Sequence, residues 1–456
     1  MTRPSSPYPG PRPFEIDERK KFFGREREAR EIISLIIAHP TVLLYAESGA
    51  GKTSLLNARI IPLLRDRGAD VIGATRVSGE LPPSVTAADV GNIFTFHAIH
   101  GLDNAPPPPP RAGEDASAAP AAMAPDPRTR TRTTLREYVL ARPRQPRREG
   151  EIVPPRVILF DQFEEVFTTS QARWADRGAF FEDLGDTLDA DPNLRIVFVM
   201  REEYVAALDP FAAALPRRLR TRYRLERLRK EAAVLAVTEP LKGTGYTLST
   251  EAAETLVENL MRVPGESTVA PASPTGEAPA DRAAAGGAAE RHVLAETVEP
   301  VQLQVVCVQI WDSLPPPPAE IDVERIKTYG DVDRALTSYY EQSICNALTC
   351  DVAIENGVTE SALRNWFEQA LITADGTRGT VYRGAEKTGE LPTRLVELLD
   401  IRFRLVRPEL RGTATWYELT HDRFIAPIRE SNRRYFLEQT SGAALAAMLQ
   451  GRANLW

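Results

Sequence analysis

The sequence has little cysteine: Cys307, Cys345 and Cys350 are the only three in 456 residues. Their spacing matches neither a metal-ligand nor a redox pattern, which leaves ordinary thiols in a reducing cytosol. No apolar stretch approaches the ~18 residues that a membrane-spanning helix needs. The opening MTRPSSPYPGPRPFEIDERKK lacks the apolar core of a signal peptide, so the expected location is the cytoplasm, with no membrane partner. A net charge of −7 argues against a dedicated nucleic-acid binder. No internal repeat is visible, and the guanine-reading pattern NKxD is absent. Lysine is scarce in a chain that otherwise uses arginine, and Lys52 is the only one between Lys21 and Lys230.

What is present is ordinary for a globular protein: 43% hydrophobic and 26% charged residues, at a length that suits roughly two to four domains. Two segments, 105–133 and 264–290, are rich in Pro, Ala and small polar residues and carry no aromatic residue. They read as disordered insertions in surface loops, because they cannot bury enough apolar surface to offset ordering entropy. The short stretch LPPPPAEID (314–322) reads as a linker.

Between these segments the pattern is βα. Apolar runs at 41–46 (TVLLYA), 156–160 (RVILF) and 195–200 (RIVFVM) alternate with helical segments. Such runs indicate a parallel sheet covered on both faces, which binds ligands at the carboxyl ends of its strands. All three runs place their polar residues at that end. From about 226 the character turns helical. The stretch 401–424 alternates on both sides of a Gly turn and reads as a β-hairpin, so helices followed by a hairpin suggest a winged helix.

The run at 41–46 leads into AESGAGKT. A phosphate loop needs small residues that let backbone N–H groups wrap the phosphates, a lysine to neutralise β/γ charge and a hydroxyl for Mg²⁺. Ala46 stands where the first glycine is usual. Gly49 and Gly51 supply the tight turn, Lys52 the charge and Thr53 the metal ligand, with a helix N-terminus aimed at the anion. Ser48, Gly49, Ala50, Gly51, Lys52, Thr53 and Ser54 form the candidate phosphate-binding set. An ordinary Gly-rich βα turn is the alternative.

RVILFDQFEEVF (156–167) ends a buried strand on Asp161, Glu164 and Glu165. Asp161 is placed to hold Mg²⁺ opposite Thr53, and Glu164 or Glu165 to polarise an attacking water. Arg201 ends the third strand, where a guanidinium can read a γ-phosphate; a structural ion pair with Glu202, Glu203 or Asp161 is the alternative. The basic stretch 216–230 reads as a solvated face with internal ion pairs. Phosphate contact by Arg222 and binding to an acidic partner stay open, whereas Tyr223 alone gives too little aromatic interleaving for single-strand nucleic-acid binding.

These residues together resemble a known group. YPGPRPFEIDERKKFFGREREAREI (8–32), DQFEE (161–165), RE (201–202), VEPVQLQVVC (298–307) and WYELTHDRF (416–424) are similar to the motifs of the bacterial novel STAND ATPases, the signal-transduction ATPases with numerous domains, over roughly residues 8–435. The resemblance implies an α/β P-loop NTPase followed by a helical domain and a winged-helix domain. It implies an entry segment at 1–36, the NTPase at 37–225, a helical domain at 226–318, a helical linker with winged helix at 319–437 and a C-terminal helix at 438–456. It implies ATP and ADP as ligands, with Phe23, Gly24 and Arg25 lining the adenine pocket and Pro300 starting a helix over the nucleotide. His421 would reach the ADP β-phosphate and latch a closed state, although a structural histidine is the alternative. The partners implied are a homo-oligomer on activation and protein sensors or effectors, with bacterial signalling or defence against phage as the setting. The sequence shows no sensor repeats and no effector domain, so it reads as a fragment or, second, as a minimal switch serving partners in trans.

Three functions follow. The first is a nucleotide switch, closed with ADP and Mg²⁺, opened and oligomerised on exchange for ATP and reset by slow hydrolysis. The second is a DNA-acting P-loop ATPase using the winged helix, with Arg402, Arg404, Arg407 and Arg411 on phosphates. The third is an assembly scaffold that uses nucleotide only to fold.

Overall fold

The computed structural model of the chain describes residues 4–105, 125–143, 154–264, 292–411 and 414–453. It divides into two compact units: Pro13–Glu226, and Met1–Arg12 together with Arg227–Trp456.

The first unit is built on a five-stranded sheet of β1 (Thr41–Ala46), β2 (Asp70–Thr75), β3 (Arg156–Phe160), β4 (Leu194–Arg201) and β5 (Arg222–Arg224), in the order β2-β3-β4-β1-β5. Every pairing is parallel. The three runs read from sequence are its central strands. Their apolar residues are continuous because both faces are covered. Val42, Leu44, Val157, Leu159, Val197 and Val199 share one core with Ile32, Ile33 and Ile36 of the helix Glu26–Ala38, and with Leu55, Ile60 and Leu64 of the helical run 52–66. On the alternate residues, Phe160 and Phe198 stack at 5.7 Å, and Phe163, Phe180 and Phe181 close over them.

Two strands were not legible. In β2, buried and half-buried residues alternate around Gly73 and Ala74, a weak apolar signal. β5 is three residues inside the arginine-rich segment, an edge strand whose charges blunt further pairing.

The insertion expected at 105–133 is shorter than its composition implies. Residues 106–124 lie outside the described residues, but Pro127–Arg130 forms a 3₁₀ turn capped by Asp126, and Arg130 pairs with Asp103 at 3.0 Å. Side-chain caps and an ion pair order this part where apolar burial could not. The insertion expected at 264–290 lies outside the described residues except Pro264, which ends a strand, Arg262–Pro264, paired antiparallel with His292–Leu294.

The second unit is mostly helical. Its helices include Lys230–Thr238, Thr250–Met261, Pro300–Ser313, Val332–Leu348, Glu360–Ala370, Thr393–Ile401 and the long Ile425–Ala453. The anticipated hairpin is present as Val406–Arg411 against Ala414–Leu419, with Val381–Tyr382 as a third antiparallel strand. A single hydrophobic core runs from Leu228 to Ile428, across the boundary expected at 318/319. The stretch 314–322 is therefore not a linker. Ala319–Ile321 pairs with Tyr246–Leu248, Ile321 is buried, and the Tyr246 hydroxyl donates to the Pro315 carbonyl at 2.7 Å. The entry segment likewise divides: Tyr8 donates to the Val237 carbonyl within this unit, while the residues from Pro13 belong to the sheet unit. No helix among the described residues is long and apolar enough to cross a membrane.

One close approach positions the site from behind. The helix Ile93–Asp103 crosses β2 at Gly101, where a Cβ would fall 2.3 Å from Thr75 Oγ1 and 3.3 Å from Thr75 Cβ. The carbonyl of Thr75 accepts from the Asp161 amide at 2.8 Å. Gly101→Ala should overpack this contact at a cost of about 1–3 kcal/mol. A thermal melt would show a lowered midpoint, and an unchanged midpoint would mean that the helix shifts freely away from β2.

Candidate functional site

The site is built on the carboxyl ends of three adjacent strands. β1 ends at Ala46, and the chain turns through Glu47–Gly51 before the helical run begins at Lys52. Gly49 and Gly51 take φ of 79° and 91°, a left-handed backbone that side-chain-bearing residues adopt only at a cost. A Cβ built on Gly51 would meet no atom of the described residues within 4 Å. The helical run widens to a π-helix over Leu56–Ile60 and ends at Asp66.

Lys52 donates to the carbonyls of Ala46 and Glu47, each at 2.9 Å. Among the described residues it forms no ion pair. Burial is the largest influence on its ammonium, which falls to about 8; Glu164 opposes that shift and Arg201 adds to it. Thr53 Oγ1 donates to Asp161 Oδ2 at 2.9 Å, joining the loop after β1 to the end of β3 across the intervening β4. Asp161 is buried, and its other oxygen accepts from the Gln162 amide at 3.0 Å. Ala46 and Arg201 are register partners, which sets the arginine beside the entry to the loop.

Arg201 pairs with Glu164, a partner not considered from sequence. Its Nε lies 3.2 Å from Glu164 Oε1, and its backbone amide donates to Glu164 Oε2 at 3.2 Å. Both residues are buried. The carboxyl of Glu164 is raised by burial, with Arg201 and then Lys52 pulling the other way. Of the partners considered from sequence, Glu202 instead pairs with Arg224 at 3.0 Å. Glu165 accepts from Ser78 Oγ at 2.7 Å and lies 3.8 Å from Arg76. Burial lifts its carboxyl to about 7 against the pull of Arg76 and Ser78. Ser78 and Arg76 were missed because they follow β2, the strand that sequence patterning did not reveal.

The remaining candidates divide between the units. Arg25 is buried and braces the loop: it donates to the carbonyls of Ala50 at 3.2 Å and Glu226 at 2.7 Å and pairs with Glu28. Gly24 has φ of 84°, and its amide donates to Glu26. Phe23 carries the Arg59 guanidinium 5.6 Å from its ring centre. Ser48 is buried, and Ser54 accepts from the Phe14 amide at 3.3 Å, tying the helical run to the entry segment. Arg222 is engaged by Asp209 and the Leu219 carbonyl.

Pro300 and His421 belong to the helical unit. Pro300 is the first residue of its helix, where a missing N–H costs nothing. His421 Nδ1 accepts from the Arg423 amide at 2.9 Å, which fixes the neutral tautomer with its proton on Nε2. That nitrogen lies 4.0 Å from Glu299, itself paired with Arg227 at 2.9 Å. Burial lowers the imidazole despite Glu299.

A left-handed turn, a half-buried ammonium bonded to two carbonyls, and a hydroxyl bonded to a carboxylate are the donor set of a nucleotide loop. A model of the novel STAND NTPase 1 family matches residues 7–269. The chain belongs to this family. It is thus an α/β P-loop NTPase of the STAND group, a nucleotide-binding protein. No curated protein matches it. Solved structures that resemble it include the ORC2 protein of Aeropyrum pernix with ADPNP and ADP, at 12% identity and TM-score 0.38, covering 91% of this chain and 95% of that one. Others are the ORC1 protein of the same organism with DNA (11%, 0.37, 92% and 94%) and Cdc6p from Pyrobaculum aerophilum (12%, 0.34, 90% and 94%). These likenesses are too remote to assign a function. In this STAND NTPase, Lys52 and the loop amides fit the phosphates, while Thr53 and Asp161 fit Mg²⁺, which when bound supplies positive charge to phosphate oxygens.

Glu165 gives a pH test. A carboxyl raised to about 7 when folded binds more protons than in the unfolded chain, so it lowers stability progressively as pH rises from about 4.5 to 7. Glu165→Gln keeps the Ser78 bond and removes that penalty. Above pH 7 the variant should be more stable than the parent by about 3 kcal/mol, converging with it near pH 4.5. Parallel melting curves across this range would contradict the assignment.

Proposed function

We propose that the chain is a nucleotide-controlled switch in the cytoplasm, closed with ADP and Mg²⁺, opened on exchange for ATP, and reset by slow hydrolysis. The observation that carries this reading is Lys52, a desolvated cation that spends its charge on two carbonyls of its own loop. Its neighbours have the matching roles: Thr53 and Asp161 for the metal, Glu164 or Glu165 for the attacking water, and Arg201 for the γ-phosphate. The FFGR segment supports an adenine pocket through Phe23 and Gly24, with Arg25 bracing the loop from beneath. In the helical unit, the three antiparallel strands and their flanking helices support a winged helix. His421, whose tautomer leaves Nε2–H as a donor, is proposed as its contact to the β-phosphate. Opening would permit self-association and engagement of a protein sensor or effector. Such a response needs only that the two nucleotides stabilise two conformations unequally.

The DNA-acting reading draws less support. On the hairpin, Arg407 is spent on Glu418 at 2.6 Å; Arg402 and Arg404, expected on the hairpin, precede it, with Arg404 3.8 Å from Asp400 and Arg402 against Phe403. The side chain of Arg411 lies outside those described.

The nucleotide carried through purification tests the switch. Denaturing the purified chain should release stoichiometric ADP from the parent and none from Lys52→Ala. An empty parent that turns over ATP well above about 1 s⁻¹ without a trigger would point to a motor-like ATPase and overturn the proposal.

A further inference from the structure

Lys52, Glu164 and Arg201 carry charges of both signs beside the loop. Glu164 is the largest favourable charge felt by the Lys52 ammonium, and Arg201 is the largest unfavourable one. Both carboxylate oxygens of Glu164 are within reach of Arg201, one at its Nε and the other at its backbone amide, each at 3.2 Å. Arg201 and Glu164 are 9% and 7% exposed, so water screens the pair poorly. A phosphate loop lysine reaches the β- and γ-phosphates. A triphosphate seated on Lys52 would therefore bring its last phosphate toward Arg201, the cation that Glu164 already holds. Two anions cannot share that guanidinium without repulsion, and one must give way.

We propose that Glu164 is an internal anion that holds Arg201 in place of a γ-phosphate, and that the pair thereby biases the site toward nucleoside diphosphate over triphosphate. This rests on the nucleotide-switch reading and deepens it: the preference for ADP is built into the sheet unit, independent of any latch from His421. A diphosphate takes Lys52 and leaves Arg201 with Glu164. A triphosphate must draw Arg201 away, so part of its binding energy is spent on breaking a buried, doubly bonded charge pair. Neutralising Glu164 removes the competitor while keeping the shape of the side chain.

The test is equilibrium binding of ADP and a non-hydrolysable ATP analogue, both with Mg²⁺, to the parent, Glu164→Gln, Arg201→Gln and the double variant. Glu164→Gln should raise the preference for the triphosphate about tenfold, equivalent to 1.4 kcal/mol. Arg201→Gln should lower that preference, and adding Glu164→Gln to it should then change nothing further, since the two act through one contact. An unchanged ratio in Glu164→Gln, or additive effects in the double variant, overturns the proposal while leaving the switch intact. A parent that binds neither nucleotide overturns the switch itself. Should Glu164→Gln fail to fold, hydrogen exchange in the parent decides: the Arg201 amide should exchange faster with the triphosphate analogue than with ADP, and equal rates refute the competition.

Discussion

The site depends on a half-buried cation whose hydrogen bonds go to backbone carbonyls and not to an acid. Lys52 is fixed by the carbonyls of Ala46 and Glu47, and these can offer only partial charge. Burial brings its ammonium down to about 8, and an anion placed on the loop would favour the charged form again. The turn that presents it forms because Gly49 and Gly51 accept positive φ. An arginine here would be less suited than a lysine, whose compact head shifts its pKa readily when buried. That difference gives meaning to a solitary lysine in an arginine-rich stretch of chain.

Around this cation the parallel sheet acts as an alignment device. Because β1, β4 and β3 run the same way in consecutive register, Ala46 lies opposite Arg201 and Phe160 opposite Phe198, and the chain leaves all three strands on one side. Groups more than a hundred residues apart in sequence thus meet within hydrogen-bond distance, as Thr53 and Asp161 do. Beneath them the ends of β3 and β4 are packed by an aromatic cluster in which Phe198 stacks on Phe160 and meets Phe163.

Much of this was legible in the sequence, for physical reasons that also mark its limits. Strands buried on both faces announce themselves as unbroken apolar runs, and β1, β3 and β4 do so. The phosphate loop is local, so its chemistry is written in consecutive residues, and Asp161 follows from its position at a strand end. By contrast, β2 carries Gly73 and Ala74 and a single buried face, while β5 is an edge strand of exposed arginines, and neither has a pattern to find. Pairings that cross strands were not legible at all. Arg201 was expected to read a γ-phosphate, with an ion pair to Glu202, Glu203 or Asp161 as the alternative, and its bond to Glu164 from the turn after β3 was not among the options. Composition overstated the insertion before Thr134, since caps and a salt bridge order residues 125–133. It also made a linker of 314–322, whose backbone pairs with Tyr246–Leu248 and seats Ile321 in the core.

The central claim is that the loop from Ala46 to Thr53 is the nucleotide's seat, with Lys52 held in reserve for its phosphates. A crystal structure of the chain soaked with ADP and Mg²⁺ tests it most directly. The account predicts that Lys52 Nζ leaves the Ala46 and Glu47 carbonyls for a phosphate oxygen, and that Thr53 turns from Asp161 to the metal. A nucleotide bound elsewhere, with both carbonyl bonds and the Thr53–Asp161 bond intact, would contradict it.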